Sequence, residues 1–465
     1  MKKRGKNKKK PTEPDEGLKY TVCGEWFPLF RDCYSGPYGK EDETSLDTEM
    51  RLFCACTRWA FNRLLEGTKT SEIERDGQKK FALNGRYVKD AVAKADWIVS
   101  SQKELLALEI EETETKLVRA RKKLGWAEKD LEKAVEKNDI EKAKRTIRGR
   151  KARVKKLADK LAELQVHQNN GTIPKVIFGG RSLWEKVCKG RASSEEWRQA
   201  RQNRLYSRGE ESKGGNQNIR VTWRDGEFTL SVAISHLSER KGTDSKGRPV
   251  MTRAPRVEGR LWLPEKHRLK VLELLLSGAP YSVELIRGKD GRYRIHITFT
   301  VTAPILVTNP NRGYLGMDTN PDGVALANVN YFGQPEPWPD GFDVSYPKAL
   351  HKFAGEFQVT VHPNGFLYIK MPELAYSRGY RRTYLIGVLG KVVVDIARVL
   401  GKPIALEDMD FGKDRFDTNR KFNRMAANFP FKKIVEAVTR RAFKEGVGVK
   451  PVRPAHTSTI GYYKY

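Results

Sequence analysis

The sequence contains few cysteines, and their spacing is irregular. Five occur in 465 residues, at Cys23, Cys33, Cys54, Cys56 and Cys188. An odd number without regular spacing argues against a disulfide framework, and no pair of Cys-x-x-Cys units is present to form a zinc site. We therefore predict a protein without a zinc site that resides in a reducing cytoplasm.

Long hydrophobic runs are also missing. No stretch is long and apolar enough to predict a membrane-spanning helix. The first residues, MKKRGKNKKKPTEPDEG, are basic and then polar, without the apolar segment and cleavage site of a signal peptide. Residues 1–17 are predicted to form a disordered basic tail, and we expect no membrane partner.

Acidic residues are scarce compared with basic ones. The chain has 88 Lys and Arg against 58 Asp and Glu, which gives a net charge of +30. An excess of this size indicates a polyanionic partner; nucleic acid is the leading candidate and a membrane surface the rival. The length is sufficient for two to four domains. The sequence does not indicate an oligomeric state.

Apolar residues repeat every seven positions in the region between residues 110 and 164. The first set is Ile110, Leu117, Leu124 and Leu131; the second is Ile140, Ile147, Val154 and Leu161, with Ala143, Leu157 and Leu164 at the partner positions. A polar break, Lys137-Asn138-Asp139, separates the two sets. This pattern predicts an antiparallel helical hairpin with a coiled-coil seam, within a helical domain at residues 48–171.

Basic side chains are concentrated on the outer face of this hairpin and in two later segments. Between residues 201 and 221 they alternate with a tyrosine, as in nucleic-acid grooves. Solvated helix faces and plain surface loops are the alternatives, but the net charge favours contacts to phosphates, which position a nucleic acid without reading its sequence. The predicted contact residues are Arg145, Arg148, Arg150, Lys151, Arg181, Arg204, Tyr206, Arg208, Lys213, Arg220, Lys413, Arg415, Arg420, Lys421, Arg424 and Arg453.

Two β-hairpins are predicted after the helical domain. Residues 221–234 fold around Asp225-Gly226, and residues 281–301 fold around a second glycine-containing turn. Together with strand-like residues near the N-terminus, they indicate a β-barrel-like domain at 18–47 and 172–302, into which the helical domain is inserted.

The segment from Gly313 to Val329 predicts a strand, an acid, a turn and a second strand. Asp318 follows the first apolar run, and Asn320-Pro321-Asp322-Gly323 supplies the turn, with Gly323 at a position expected to need a positive φ. A rigid strand can hold an acid where Mg²⁺ can use its oxygen. The alternative is an ordinary hairpin whose aspartate caps the turn.

A second acid lies in the segment Lys402 to Asp408, which predicts a short buried strand after a helix from Leu385 to Leu400. Acids from neighbouring strands can share metal ions, and two ions about 4 Å apart can bind the attacking and leaving oxygens of a phosphodiester. Strands with intervening helices and acids at strand ends predict an RNase H-like α/β domain over residues 303–465, with Asp318 and Glu407 as its candidate acids.

These blocks, in this order, resemble the TnpB family, the transposon-encoded relatives of type V CRISPR effectors. GYLGMDTNPDGVALA is similar to the first RuvC motif of the family, and IALEDMDF is similar to the second. The segment from Asn419 to Gly461, with its Thr457-Ser458 pair, and the upstream blocks FGGRSLWEKV and LYSRGEESKGGNQNIRV are also similar. The resemblance extends from about Asn84 to the end of the chain.

The resemblance implies an RNA-guided DNA endonuclease in the cytoplasm of a bacterium or archaeon, associated with the nucleoid. Its fold would be α+β and multidomain: a β-barrel wedge domain with an inserted helical recognition domain, followed by an RNase H-like RuvC domain. The first two would hold a guide RNA made from the transposon end, and base pairing would then read the DNA target. Asp318 and Glu407 would be catalytic acids that bind Mg²⁺, with two ions expected.

The sequence departs from the family pattern in two ways. The family usually has a third acid after the Thr-Ser block, for which this chain offers no residue, and its common Cys-x-x-Cys pairs are absent, as in the zinc-less branch. We therefore expect a fragment or truncated reading frame that ends inside the RuvC domain. The alternative function is a nuclease-inactive RNA-guided DNA-binding protein or regulator; a third is a transposase-like or simply basic nucleic-acid-binding protein without a guide.

Overall fold

The computed structural model describes residues 18–29, 43–243, 249–301, 304–339, 357–362, 364–407 and 431–452. The chain divides into an N-terminal unit, Lys19–Thr300, and a C-terminal unit, Val301–Tyr465 together with Met1–Leu18. The described α-helices are α1 Ser45–Leu65, α2 Thr70–Phe81, α3 Gly85–Glu132, α4 Lys137–Asn169, α5 Arg181–Cys188, α6 Ser194–Ala200, α7 Glu265–Ser277, α8 Gly379–Leu400 and α9 Phe431–Lys444.

The described strands divide between the two units. Those of the N-terminal unit are β1 Leu18–Leu29, β2 Arg204–Ser207, β3 Ile219–Arg224, β4 Glu227–Ala233, β5 Arg240–Thr243, β6 Pro249–Met251, β7 Arg256–Trp262, β8 Tyr281–Arg287 and β9 Tyr293–Val301. Those of the C-terminal unit are β10 Tyr314–Asn320, β11 Gly323–Val329, β12 Gln358–His362, β13 Phe366–Lys370, β14 Ile404–Glu407 and β15 Val449–Val452.

The main sheet of the N-terminal unit is a curled antiparallel half-barrel. Its seven strands lie in the order β2-β8-β9-β1-β7-β4-β3. The two predicted hairpins are confirmed as β3–β4 and β8–β9. Asp225 and Gly226 both have positive φ, 51° and 81°. Such a pair matches the right-handed twist of the flanking strands, which is why Asp-Gly favours this tight connection.

Two long helices of the N-terminal unit form the predicted hairpin. Helix α3 has 48 residues, and the side chain of Asn84 caps its start by accepting a hydrogen bond from the backbone N–H of Tyr87. At 1.5 Å per residue α3 is about 70 Å long. Ile110 and Leu117 of α3 and Ile147 and Leu164 of α4 are buried, which confirms the seam.

The turn of this hairpin lies earlier than the sequence predicted. Helix α3 ends at Glu132 and α4 begins at Lys137, so the polar residues Lys137-Asn138-Asp139 form the first turn of α4. An acid in the first turn interacts favourably with the helix dipole, and the polar residues are therefore accommodated within the helix. The connection is made by residues 133–136.

A mixed six-stranded sheet organises the C-terminal unit. Its order is β12-β13-β11-β10-β14-β15. Strands β10 to β13 pair in antiparallel fashion, whereas β14 runs parallel to β10 and β15 parallel to β14. The apolar residues of one sheet face pack against α8 and α9 in a single core, because parallel strands need crossover connections that return helices to the sheet.

The β10–β11 hairpin forms as predicted, but the reason for its glycine differs. Asn320 pairs with Gly323 across Pro321-Asp322. Gly323 is not among the glycines with positive φ. Instead, a Cβ at this position would lie 2.0 Å from the carbonyl oxygen of Ile369 on β13, so glycine is needed for the close approach of two strands.

Candidate active site

The two predicted acids lie on neighbouring parallel strands. In the register of β10 and β14, Gly316 is opposite Ala405 and Met317 is opposite Leu406. Continued by one residue, this register places Asp318 beside Glu407. Residues in register on parallel strands project from the same face of a sheet, and the strands are about 4.8 Å apart. The two carboxyl groups can therefore approach a common ligand.

This pair lies on the sheet face opposite to the α8–α9 core. Leu315 and Met317 alternate with Asp318 along β10 and are buried in that core, whereas Asp318 is exposed. On β14, Leu406 is buried in the same core and Glu407 is half-buried. The alternation thus assigns one face of each strand to packing and leaves the other for the acids.

Several neighbours of the acid pair have small side chains. Gly316 and Ala405 precede the two acids, and Ala325 of β11 is opposite Asp318. A Cβ added at Gly316 would have the Cβ of Ala327 as its nearest neighbour, at 3.7 Å. Side chains this short leave space beside the carboxylates for a ligand.

A buried lysine fixes the start of β14. Lys402 is 5% exposed, and its Nζ donates hydrogen bonds to Asn328 Oδ1 at 2.7 Å, to the carbonyl oxygen of Val329 at 3.1 Å and to the carboxylate of Glu336. A buried ammonium is tolerated when its donors are satisfied in this way. These bonds tie β14 to the end of β11 and so help to set the position of Glu407.

Asp318 is exposed, but the strands around it still remove part of its hydration. This desolvation raises the pKa of its carboxyl group, and a hydrogen bond from the backbone N–H of Thr319 opposes the rise. Among the described residues no basic side chain forms an ion pair with Asp318; the nearby Lys370 lies 3.8 Å from Asp322 instead. A bound cation would therefore offset the desolvation of the Asp318 carboxylate and favour its charged form.

A tyrosine and a second aspartate lie on the same sheet face. The hydroxyl group of Tyr368 donates to Asp322 Oδ1 at 3.0 Å. Burial, the acceptor Asp322 and the charge of Asp318 together raise the pKa of Tyr368 to about 12. Tyr368 is thus a neutral hydrogen-bond donor at physiological pH, and it holds Asp322 at the turn.

The donor set of the acid pair suits a hard divalent cation. Carboxylate oxygens are the ligands that Mg²⁺ prefers, and Mg²⁺ commonly takes only one or two protein carboxylates with water and substrate phosphate. Within the described ranges, no group of three His, Cys, Asp or Glu side chains forms a metal-binding cluster. Asp318 and Glu407 fit Mg²⁺ as a pair, and the expected two ions stay a prediction.

The predicted contacts on the helical hairpin lie along α4. Arg145, Arg148 and Lys151 are exposed. Lys151 Nζ is 3.9 Å from a carboxylate oxygen of Glu128 on α3. Arg150 is half-buried and donates to the carbonyl oxygen of Lys123, so it links the two helices, whereas the other three are available to solvent.

The predicted residues around β2 have more protein partners. Arg204 Nη1 lies 3.4 Å from Glu284 Oε1, and Arg208 Nε donates a hydrogen bond to Asp90 Oδ1 at 2.6 Å. Burial raises the pKa of Asp90, and the hydrogen bonds and charge of Arg208 only partly offset this rise. The guanidinium group of Arg208 is thus already held by an ion pair within the protein.

The remaining predicted contacts are dispersed or lie outside the described residues. Arg181 is exposed at the start of α5 and lies 3.5 Å from Glu185, and Arg220 is exposed on β3. The side chain of Lys213 is not described. The other predicted contacts, Lys413, Arg415, Arg420, Lys421, Arg424 and Arg453, lie outside the described residues.

The structure places an aromatic and a basic side chain of α3 beside the predicted contact residues Tyr206 and Arg208. The ring of Trp97 meets that of Tyr206 edge-on at 5.8 Å, and Lys94 Nζ lies 4.5 Å from the centre of the Tyr206 ring. Arg208 lies over the Trp97 ring at 5.7 Å. The spacing of Lys94 and Trp97, three residues apart on a helix, was a signal that they share a face.

No helix among the described residues has the length and apolar character needed to cross a membrane.

Comparisons with known proteins give a family match and distant structural similarities. A family model described as SSO2105 N-terminal domain matches residues 37–310. The Cas12f1–sgRNA–target DNA complex is similar at 13% identity and a TM-score of 0.19, with 52% of this chain and 56% of that chain covered.

The Cas12i1 R-loop complex before target DNA cleavage is similar at 8% identity and a TM-score of 0.26, with 88% of this chain and 56% of that chain covered. This chain therefore spans little more than half the length of either solved chain. No curated protein sequence matches it.

Proposed function

The chain belongs to the SSO2105 N-terminal domain family, and we propose that it is an RNA-guided DNA endonuclease of transposon origin. In this proposal the C-terminal unit cleaves DNA by metal-dependent hydrolysis of a phosphodiester. The observation that carries the proposal is the register of β10 and β14, which brings Asp318 and Glu407 to the same face of the sheet. The two acids are distant in sequence, and the face they share is not used for core packing.

The order of elements supports an RNase H-like RuvC domain. Four antiparallel strands, β10 to β13, are followed by α8 and by β14 parallel to β10, then by α9 and β15 parallel to β14. A domain of this type needs the acids of its first strand and of the parallel strand beside it, here β10 and β14, to be neighbours. The resemblance of the two acid-bearing segments to the RuvC motifs of the TnpB family points to the same activity.

Asp318 and Glu407 would hold Mg²⁺ through their carboxylate oxygens. When bound, the ion would activate water and stabilise negative charge on the leaving oxygen. The chain contributes a rigid sheet that fixes both acids, small neighbours that leave room for a phosphate, and an exposed Asp318 whose negative charge favours a cation.

The N-terminal unit would bind the nucleic acids. The net charge of +30 favours a polyanion, and the exposed cations of α4 form a row that can follow a phosphate backbone. We propose a guide RNA and a DNA target as partners, with the guide pairing to the target and the half-barrel and helical hairpin holding the backbone.

A cleavage assay with acid-to-alanine variants tests this proposal. The chain would be expressed with its own flanking DNA, the co-purified RNA sequenced, and a plasmid complementary to that RNA used as the substrate with Mg²⁺ or with EDTA. We expect Asp318→Ala and Glu407→Ala each to lower the cleavage rate at least about 100-fold, with binding of the target retained.

The matched control is Glu373→Gln, which removes an exposed carboxylate of the same unit that pairs with Arg381. It should cut at the wild-type rate. Undiminished cutting by Asp318→Ala would refute the assignment of the acids. Guided binding by the wild-type chain without any cutting would instead support the nuclease-inactive alternative.

A further inference from the structure

A cleft in the N-terminal unit is separate from the acidic face. It has a volume of about 690 Å³ and lies between α1, α3, the loop before α5, and the connection from α6 to β2. Sites for small ligands have volumes of about 300–1,000 Å³, so the cleft is large enough for one. The residues that matter for its chemistry are Arg58, Lys94, Trp97, Phe178, Arg201 and Arg204.

The cleft carries an excess of positive charge. Four cations line it, and no carboxylate of the described residues does. Lys94 and Arg204 both form an ion pair with the carboxylate of Glu284, which does not itself line the cleft. The pKa of Glu284 is lowered although burial alone would raise it, because these cations lie beside it. Two cations therefore compete for a single counterion.

The other two cations have no carboxylate partner among the described residues. Arg58 donates a hydrogen bond to the carbonyl oxygen of Arg201, and burial lowers its pKa, with Arg201 adding to the effect. The guanidinium group of Arg201 stacks on Trp197 at 4.3 Å. Two half-buried cations that lie side by side would be stabilised by an anion bound between them.

Flat aromatic surface lies next to these cations. Trp97 is 47% exposed although it lines the cleft. Phe178, in the loop before α5, meets Phe61 edge-on at 5.3 Å, and its carbonyl oxygen accepts a hydrogen bond from Trp197 Nε1 at 3.1 Å. Phe178 is thus fixed in place. Aromatic rings beside cations are the arrangement that binds a base together with its phosphate.

A glycine allows the loop of Phe178 to pack this tightly. Gly179 has φ +89°, and a Cβ there would lie 2.7 Å from Cγ of Arg201 and 3.0 Å from the ring of Trp197. A larger residue would displace the wall of the cleft. The positions of the loop and of Arg201 are therefore coupled.

We propose that this cleft binds a nucleotide, with its phosphate at Arg58 and Arg201 and its base against Trp97. A free nucleoside phosphate and an unpaired nucleotide of an RNA or DNA strand share this chemistry. The inference does not depend on the proposed nuclease activity, because no residue of the acidic face takes part.

Binding measurements on the full chain distinguish the two sources. Adenosine 5′-monophosphate would be titrated by calorimetry, and a fluorescein-labelled ten-nucleotide oligouridylate by anisotropy. For whichever of the two probes the wild type binds, Trp97→Ala should weaken binding at least about fivefold, as expected for the loss of one stacked base. Arg58→Gln should also weaken it and reduce the salt dependence by about one phosphate contact.

The matched control is Trp126→Ala, which removes another half-exposed tryptophan of α3, 50% exposed and far along the helix. It should bind both probes as the wild type does. If Trp97→Ala loses monophosphate binding while Trp126→Ala keeps it, the result supports a free nucleotide. If the wild type does not bind the monophosphate and Trp97→Ala loses oligonucleotide binding, the result supports a strand. Equal effects of the two tryptophan variants, or no effect of Trp97→Ala, would overturn the proposal.

A second measurement uses the wild-type chain and is independent of variant folding. An oligouridylate with 4-thiouridine would be crosslinked by light and the attached peptides identified. The proposal for a strand requires crosslinks to the segments that contain Trp97 or Phe178.

Binding by Asp318→Ala should equal that of the wild type, so that failure of the nuclease proposal and failure of this one can be distinguished.

Discussion

Lys402 and Asp318 show two different ways in which the C-terminal unit accommodates a charged group. Lys402 is almost completely buried, and three oxygen acceptors satisfy its ammonium group. Asp318 is exposed, yet the strands around it remove part of its hydration and raise its pKa, and no basic side chain among the described residues pairs with it. The charge of Lys402 is thus satisfied within the protein, whereas the charge of Asp318 would be stabilised by an added cation.

Cys56 gives a residue-scale prediction about alkaline pH. This thiol is completely buried in α1, and burial raises its pKa from 9.0 to about 12. The folded state therefore holds the proton more tightly than the unfolded state. The contribution of the neutral thiol to stability is complete below pH 9 and is lost as the pH rises through about 12.

Cys56→Ala should therefore make the free energy of unfolding fall less steeply between these pH values, by up to about 1.4 kcal/mol per pH unit. Chemical denaturation at several pH values measures this slope. Cys188→Ala, at an exposed cysteine, should leave the slope unchanged. A slope in Cys56→Ala equal to that of the wild type would contradict the assignment.

The sequence was sufficient to nominate Asp318 and Glu407 but not to show that they are neighbours. Each follows an apolar run, and that local pattern is readable. Their proximity depends on a parallel register between distant strands, which no local pattern encodes. Arg58 and Arg201 were missed for the same reason: they come from different elements, and only the fold brings them to one cleft with Trp97.

At the scale of elements, the α3–α4 hairpin depends on a narrow apolar seam. Leu164 of α4 is buried with Leu106 and Ile110 of α3, whereas most surrounding positions are polar. We expect Leu164→Ala to destabilise the pairing of the two helices by about 2 kcal/mol, at the low end for a core truncation because the seam is packed from one side only.

Hydrogen exchange of the α3 and α4 amides measures this effect. Their protection should fall while that of the β8–β9 hairpin stays constant, because local opening does not require global unfolding. Val166→Ala, at an exposed position two residues away, serves as the control and should change protection by less than about 0.5 kcal/mol. Equal effects of the two variants would refute a seam at Leu164.

The heptad pattern predicted this hairpin well because its packing is local and repetitive. The turn was misplaced because a polar triplet is as compatible with the first turn of a helix as with a loop. Gly323 illustrates a similar ambiguity. A glycine after Pro-Asp indicates a turn, but whether it supplies a positive φ or a close strand contact depends on β13, more than forty residues later.

At the scale of the whole molecule, the positive charge is expected to govern affinity. The affinity of the full chain for single-stranded RNA should fall steeply as salt increases, because bound phosphates release counterions. The triple variant Arg145→Gln, Arg148→Gln and Lys151→Gln should reduce the slope of log K against log salt by about 2, if these side chains contact phosphates. Filter binding at several salt concentrations measures the slope.

A second triple variant separates local contacts from net charge. Lys69, Lys79 and Lys80, at the two ends of α2, are exposed and were not predicted to bind nucleic acid. Changing all three to Gln removes the same charge as the α4 variant, and the slope should change by less than about 0.5. Equal reductions in both variants would show that net charge, and not the face of α4, determines binding.

The parallel pairing of β10 with β14 has a consequence for the order of events during synthesis. Roughly ninety residues, including α8, separate Asp318 from Glu407, and at about 5–20 residues per second their translation takes several seconds. Non-local pairing of this kind also forms late in folding. A nascent chain that has emerged only as far as β13 holds one acid without the other. The proposed cutting activity therefore cannot precede the synthesis of β14, because only its pairing with β10 brings the second acid beside the first.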